Sequence, residues 1–203
     1  MPLRLRDLTL NLDQDESLLA SLVEKELGLK RGEVQDLRVV RQGIDARKKP
    51  RIFRVYTVEF LVGDEAALLK RHGQNARLER AVPPPRCEAK NLSLPGRILV
   101  VGMGPAGLFA ALRLAQYGFS VTLLERGRPV EDRVRDVRDF WSGKGLCPES
   151  NVQFGEGGAG TFSDGKLTTR VNHPWTRHVL ETLVRFGAPA EILIQAKPHV
   201  GTD

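Results

Sequence analysis

The sequence predicts an α/β protein in which a small α+β domain of the ferredoxin-like type precedes an incomplete Rossmann-like dinucleotide-binding unit. Three observations predict this class. Three consecutive prolines divide the 203-residue chain at 83–85. A strand–helix–strand pattern with a GxGxxG motif follows the prolines. Before the prolines, short segments of alternating apolar residues are interleaved with segments of helical spacing.

The prolines also set the predicted domain boundaries. Consecutive prolines cannot continue a helix or a central strand, and they favour stiff extended linkers. We therefore predict a first domain over 1–82, a Pro-rich linker over 83–96 and a Rossmann-type domain over 97–203.

The first domain has the element order of a ferredoxin-like sandwich, strand–helix–strand–strand–helix–strand. The predicted elements are a strand near 3–10, a helix from Ser17 to Leu27 ended by Gly28, strands over 34–40 and 52–62, a helix over 64–71 and a closing strand over 76–82.

The second domain opens with a buried parallel strand, since an apolar and β-branched run suits that position. Its predicted elements are a strand over 97–101, a helix over 105–117, a strand over 120–125, a charged helix over 130–141, a shaped loop over 151–166, a helix over 175–186 and a short strand over 192–195.

A glycine motif joins the first strand of this domain to its helix. The motif is Gly102-Met103-Gly104-Pro105-Ala106-Gly107. Gly102 permits the tight turn, Gly104 lets the backbone approach a pyrophosphate, and Gly107 lets helix and strand pack closely. Pro105 suits the first helical turn, where its missing N–H is not needed. We therefore predict that the N–H groups and the positive helix end face phosphates.

An acidic residue, Glu125, ends the next predicted strand, 18 residues after Gly107. A carboxylate at this position accepts hydrogen bonds from the adenosine ribose hydroxyls. Its negative charge would repel a 2′-phosphate, which disfavours NADP. The alternative is a glycine turn with an unrelated surface glutamate, but the strand–helix–strand context favours a dinucleotide site.

A second glycine-rich stretch covers 151–166 and holds five glycines in eleven residues. Such a loop lets backbone lie close against a ligand, and its hydroxyls and lysine can meet a negative charge. A cofactor loop and a purely structural loop with several turns both fit these residues. Thr161 and Ser163 carry these hydroxyls, and Lys166 is the lysine.

Several strings of the chain resemble one known family. They are Val100–Ala110, Glu125–Gly127 and Pro148–Leu167 in the second domain, with Ile44–Lys49, Val55–Glu59 and Lys197–Thr202 elsewhere. The chain resembles bacterial and archaeal proteins described as uncharacterised FAD-dependent dehydrogenases, which are distantly similar to glutathione-reductase-type and thiazole-synthesis-type flavoproteins. The Glu125-Arg126 pair fits the Glu-Arg or Glu-Lys that is frequent at this strand end in two-dinucleotide-binding flavoproteins. The resemblance covers nearly the whole chain.

The resemblance implies an FAD-dependent oxidoreductase in which electrons or a hydride pass through bound flavin. FAD would bind at Gly102–Gly107 with its ribose on Glu125, and Gly157–Lys166 would line the pyrophosphate or the flavin. The loop residues that the resemblance implies as cofactor-binding are Gly157, Gly158, Ala159, Gly160, Thr161, Ser163, Asp164, Gly165 and Lys166. NAD(P)H is a candidate electron donor, while the substrate and the catalytic residue stay unassigned.

Five side chains are the more specific candidates that the resemblance suggests. Ser163, Asp164 and Lys166 are expected to contact or tune the isoalloxazine. Arg126 and Arg133 are expected to approach the adenine or the phosphates.

Members of the resembled family continue well past the position at which this chain stops. A Rossmann sheet of two or three strands leaves an exposed edge and apolar faces. We therefore expect a fragment, a truncated product or one piece of a split protein, whose missing half or partner chain completes the site.

Composition excludes several other classes. With 41% apolar and 28% charged residues and a net charge of +6, the chain has a globular balance. No apolar run is long enough to span a bilayer, and the N-terminus lacks a signal-peptide pattern, so we expect a cytoplasmic protein. Two cysteines sixty positions apart and four histidines without ligand spacing predict neither a redox pair nor a metal site.

Two further functions compete with a flavoenzyme. A non-catalytic binding module would use the basic first domain to contact RNA or a protein, but nucleic acid is disfavoured because Phe53 and Tyr56 lie on opposite strand faces. An NAD-only dehydrogenase is disfavoured by the second glycine loop.

Overall fold

The structure is a computed structural model that describes residues 1–84, 88, 90, 92, 96–171 and 173–201. The chain divides into two compact units. Unit 1 comprises Met1–Arg86 and Leu167–Val200, and unit 2 comprises Cys87–Lys166 and Gly201–Asp203. Within the described residues, none of the helices combines the length and the apolar character needed to cross a membrane.

Unit 1 contains a four-stranded antiparallel sheet. Its strands are β1 (Leu3–Asn11), β2 (Gln35–Lys48), β3 (Arg51–Leu61) and β4 (Leu78–Arg80). Their order across the sheet is β2-β3-β1-β4. The β-α-β-β-α-β order expected from the sequence is observed. The ferredoxin-like class itself stays a prediction.

Alternating leucines on β1 build the core of unit 1. Leu3, Leu5, Leu8 and Leu10 are all buried, although the spacing changes by one residue after Leu5. A register shift between Leu5 and Leu8 accounts for this change, with Asp7 at φ 59°. Because a bulge adds one residue to a strand, it returns the later leucines to the inner face.

Two helices connect these strands: α1 (Leu18–Leu27) lies between β1 and β2 in the chain, and α2 (Glu65–Arg71) lies between β3 and β4. The buried residues Leu19, Val23 and Leu27 recur every four positions, which places them on one face of α1. Gly28 ends this helix in the left-handed conformation, at φ 62°. The Asp64 carboxylate caps α2 by accepting from the Ala67 N–H at 2.9 Å.

The aromatic side chain Tyr56 belongs to the core of unit 1. It is fully buried, and its hydroxyl donates to Glu16 Oε1 at 2.9 Å. Burial and the Glu16 carboxylate raise the pKa of this phenol. Tyr56 therefore cannot stack on a nucleic-acid base.

The segment after Lys166 differs from the predicted division of the chain. Residues 167–200 group with the first domain and not with the Rossmann-type unit. The cause is a parallel bridge in which the Gln42 N–H donates to Ile194 O and the Ala196 N–H donates to Gln42 O, both at 2.7 Å. This segment contains α5 (Pro174–Arg185).

The strand predicted over 192–195 is wrong. A short 3-10 helix, Ala190–Leu193, occupies most of this region, and only Gln195 forms a bridge. The apolar pattern reflects one buried side chain, Ile192, and not a strand face. The Ile192 N–H donates to Pro189 O, which closes a turn in place of a ladder.

Unit 2 is built on a parallel two-stranded sheet, β5 (Arg97–Val101) and β6 (Ser120–Leu124). The helix α3 (Pro105–Gln116) connects the two strands, as predicted, and α4 (Val130–Trp141) follows them. The long loop after α4 contains a short 3-10 helix, Gly158–Phe162. Much of the predicted linker, at 85–87, 89, 91 and 93–95, lies outside the described residues.

Candidate functional site

The glycine turn of unit 2 has the geometry that the sequence predicts for its first residue. Gly102 has φ 99°, a conformation that L side chains rarely adopt. Its N–H donates to Leu124 O at 2.7 Å, so the turn leaves β5 while still bonded to β6. The 12-residue helix α3 then begins at Pro105, with Gly104 as its N-cap.

In this turn, Gly107 is packed closely against the backbone, whereas Gly104 faces open space. A Cβ on Gly107 would lie 1.8 Å from the carbonyl oxygen of Gly102, so close packing of helix on turn requires glycine there. Apart from its chain neighbours, a Cβ on Gly104 would meet no atom of the described residues within 4 Å. The space beside Gly104 is therefore open, and it lies at the N-terminus of α3, where a negative group is favoured.

The carboxylate of Glu125 is bound to the backbone of the same turn. Its Oε2 accepts from the Met103 N–H at 2.7 Å, and its Oε1 accepts from the Gly127 N–H at 2.8 Å. The N–H groups of Arg126 and Gly155 are also directed at this carboxylate. Glu125 thus lies beside the glycine turn, held by backbone N–H groups.

The backbone donors also hold Glu125 in its charged form. The N–H groups of Gly127 and then Met103 are the largest causes that lower the pKa of this carboxyl below its usual value. Partial burial opposes them with a smaller effect. The site therefore presents a fixed negative charge at neutral pH.

The second glycine loop, residues 151–166, lies against the glycine turn at 102–107. The Gly157 N–H donates to Met103 O at 2.9 Å. A Cβ on Gly158 would lie 3.0 Å from the Gly104 Cα, and one on Gly160 would lie 3.8 Å from the Pro105 ring. Of the residues predicted from the sequence, the structure therefore brings Gly157, Gly158 and Gly160 to the glycine turn.

Arg133 is buried inside the second loop. Its Nη2 donates to the carbonyls of Asn151 at 2.8 Å, Gly158 at 3.0 Å and Val152 at 3.2 Å. Its Nη1 donates to Glu156 O and, at 3.2 Å, to the Thr161 hydroxyl. The guanidinium faces loop carbonyls, and its approach to adenine or phosphate stays a prediction.

The remaining predicted residues form local contacts. Arg126 is exposed and pairs with Glu149 at 2.6 Å. Lys166 pairs with Asp164 at 2.6 Å, and the Gly165 N–H donates to the Ser163 hydroxyl at 3.2 Å. Contacts of Ser163, Asp164 and Lys166 with a flavin stay a prediction.

Sequence reasoning missed two residues that shape this site. Glu156 Oε2 accepts from the Val130 N–H at 2.8 Å, at the first turn of α4. Asn151 is buried, and its Oδ1 accepts from the Gln153 N–H at 2.9 Å. The charged pattern of α4 gave no signal for them, because it does not show that Arg133 lies with Val137 on the buried face of the helix.

Two protein-family models match separate parts of the chain. Residues 100–140 match an NAD(P)-binding Rossmann-like domain. Residues 2–61 match a domain of unknown function, DUF8436. The first match coincides with the glycine turn, Glu125 and α4, so this part of unit 2 is a Rossmann-like dinucleotide-binding segment.

Two relatives are similar to longer stretches. An uncharacterized protein of Clostridium beijerinckii is 42% identical over 204 residues, which cover 100% of this chain and 38% of the clostridial protein. An L-amino-acid oxidase of Bungarus fasciatus is 35% identical over 94 residues, covering 43% of this chain and 18% of the oxidase. The chain thus spans well under half the length of either relative.

Proposed function

We propose that the chain binds FAD through unit 2 and contributes the adenosine and pyrophosphate part of the site to a flavin-dependent oxidoreductase. The observation that carries this proposal is the contact of the Glu125 carboxylate with the Met103 N–H inside the glycine turn, at 2.7 Å. It puts a ribose acceptor and a phosphate-binding helix end side by side.

The residues present fit such a group. A pyrophosphate needs backbone without a side chain, and Gly104 has open space where its Cβ would be. It also needs positive potential, which the N-terminus of α3 supplies. The hydroxyls of the adenosine ribose need an acceptor, and the Glu125 carboxylate is kept ionised by backbone donors.

Two features bear on the choice of dinucleotide at this site. The charge of Glu125 disfavours a 2′-phosphate and therefore NADP. The second glycine loop, packed on Met103 through the Gly157 N–H, supplies backbone beyond what a single βαβ turn offers. The similarity to an L-amino-acid oxidase over 94 residues supports oxidation chemistry.

The chain's own residues bind and orient the cofactor in this proposal. When bound, FAD would supply the acceptance and delivery of a hydride or of electrons. Glu125 holds the ribose, the Gly102–Gly107 turn holds the pyrophosphate, and Gly157–Thr161 bounds the cofactor on its other side. NAD(P)H is the proposed electron donor of the complete protein.

Calorimetric titration of the 203-residue chain with FAD, NAD⁺ and NADP⁺ tests the proposal. We expect heat of binding with FAD and none with NADP⁺. Binding of NAD⁺ without binding of FAD would favour the NAD-only dehydrogenase. Equal binding of NAD⁺ and NADP⁺ would contradict the proposal that the Glu125 carboxylate repels a 2′-phosphate.

Glu125→Gln should weaken FAD binding about 10- to 100-fold, since a hydrogen bond to a charged group contributes roughly 1.5–3 kcal/mol. The glutamine side chain would also place its NH2 group opposite the N–H of Met103 or Gly127. That backbone N–H would then lose its acceptor. Titration of both proteins with FAD measures the effect. Glu131→Gln, an exposed glutamate of α4, is the matched control and should bind FAD as the wild type does.

The same substitution should change how stability depends on pH. Because the folded state lowers the pKa of Glu125, its stabilising contribution is present above the unfolded value of about 4.5 and is lost as pH falls through the lower folded value. Thermal unfolding of wild type and Glu125→Gln between pH 7 and pH 3 should therefore converge in acid. Parallel curves at all pH values would contradict the assignment.

A further inference from the structure

The guanidinium of Arg133 is a buried charge for which the described residues supply no carboxylate partner within ion-pair distance. Its hydrogen bonds go to neutral acceptors, the carbonyls of Asn151, Val152, Glu156 and Gly158 and the hydroxyl of Thr161. Burying a charge is costly unless hydrogen bonds replace water. Four carbonyl oxygens of the second glycine loop therefore surround the Arg133 side chain, which extends from α4.

Space around this side chain is equally restricted. A Cβ on Gly155 would lie 2.4 Å from Arg133 Cδ, and the guanidinium lies 4.9 Å from the centre of the Phe162 ring. Burial lowers the pKa of Arg133, but an arginine stays protonated in proteins. The loop is thus closed around a permanent positive charge.

One peptide plane connects Arg133 to the glycine turn. The C=O and N–H of a trans peptide point in opposite directions. Because the Glu156 carbonyl points to Arg133, the Gly157 N–H points away from it, and this N–H donates to Met103 O. The Met103 N–H in turn donates to Glu125. Met103 is therefore bonded to the loop through its carbonyl and to the Glu125 carboxylate, proposed to hold the ribose, through its N–H.

We infer that Arg133 is a positioning residue, which does not touch the cofactor but fixes residues 151–161 against the Met103–Gly104 turn and so completes the FAD site. This inference rests on the proposed function for the identity of the cofactor. Its structural part, the fixing of the loop, is testable without FAD.

Hydrogen exchange of the cofactor-free chain, read by mass spectrometry, tests the fixing of the loop. Arg133→Met should raise exchange in 152–163 at least about tenfold, since a tenfold change corresponds to about 1.4 kcal/mol, roughly one hydrogen bond. Exchange in β5 and β6 should stay as in the wild type. Arg133→Lys, with three donors in place of five, should give a smaller rise in the same peptides.

Titration with FAD tests the consequence for binding. Both variants should bind FAD more weakly than the wild type, Arg133→Met by at least about tenfold and Arg133→Lys by less. Arg135→Met is the matched control, because Arg135 lies on the same helix, is exposed and pairs with Asp132. It should change neither exchange in 152–163 nor FAD affinity.

The outcomes separate the positioning role of Arg133 from the proposed binding of FAD. Unchanged exchange in 152–163, or equal loss of protection throughout unit 2 in both Arg133 variants, would overturn the positioning role. Local loss of protection in a chain whose wild type binds no FAD would support that role and overturn the FAD proposal.

Discussion

Gly107→Ala is expected to lower the free energy of unfolding of unit 2 by about 3 kcal/mol, near the upper end of the usual cost of overpacking. The added methyl carbon would lie 1.8 Å from the carbonyl oxygen of Gly102. Backbone cannot rotate away as a flexible side chain can, so α3 must move off the turn. FAD binding should be lost together with the packing.

Denaturant-dependent hydrogen exchange of peptides within 97–124 measures this loss, because it reports on unit 2 alone. Peptides of β1 and β3 in unit 1 serve as an internal control and should keep their protection. Equal protection of 97–124 in wild type and variant would contradict the close approach of Gly107 to Gly102.

Gly104→Asp should abolish FAD binding, at least about 100-fold, while leaving stability nearly unchanged. Gly104 has φ −74°, which any residue adopts, and within the described part of the chain a Cβ there would meet no atom within 4 Å beyond its chain neighbours. Aspartate is also a preferred N-cap residue. The carboxylate would occupy the open space at the N-terminus of α3, where it would exclude a pyrophosphate by both volume and charge.

Gly104→Asn separates these two effects, since asparagine has the same shape and also caps helices well. It should weaken FAD binding less than aspartate does, by the part that charge repulsion contributes. Thermal unfolding of both variants within about 0.5 kcal/mol of the wild type is the expected control. Retained FAD affinity in Gly104→Asp would place the pyrophosphate elsewhere.

Local sequence signals were sufficient to predict the glycine turn and the position of Glu125 beside it. The motif at 102–107 dictates a turn between strand and helix, and the observed β5, α3 and β6 follow the predicted segments closely. Glu125 reaches this turn because the ends of neighbouring parallel strands meet at one edge of the sheet. Both features depend on residues within one strand–helix–strand unit.

Features that depend on distant contacts were not predictable in this way. The second glycine loop contacts Met103 through the Gly157 N–H and is bonded to Arg133, a charge that the sequence pattern of α4 suggests is exposed. The placement of 167–200 with unit 1 rests on the bridge between Gln42 and Gln195, which lie 153 positions apart. Neither spacing nor composition encodes these partners.

Strand lengths show the same limit. The apolar pattern predicts a strand over 34–40, whereas β2 continues to Lys48. The additional residues are mostly polar and pair with β3 up to Lys48 and Arg51. Backbone pairing with a neighbouring strand extends β2 beyond the residues whose side chains are buried.

An absorption spectrum shows whether the glycine turn of unit 2 binds FAD, as proposed. The purified chain is mixed with FAD, passed through a desalting column and measured beside Gly104→Asp treated in the same way. We expect flavin bands that stay with the wild-type chain and are lost from the variant, as binding at this turn requires. Flavin bands absent from both proteins, or retained equally by both, would contradict it.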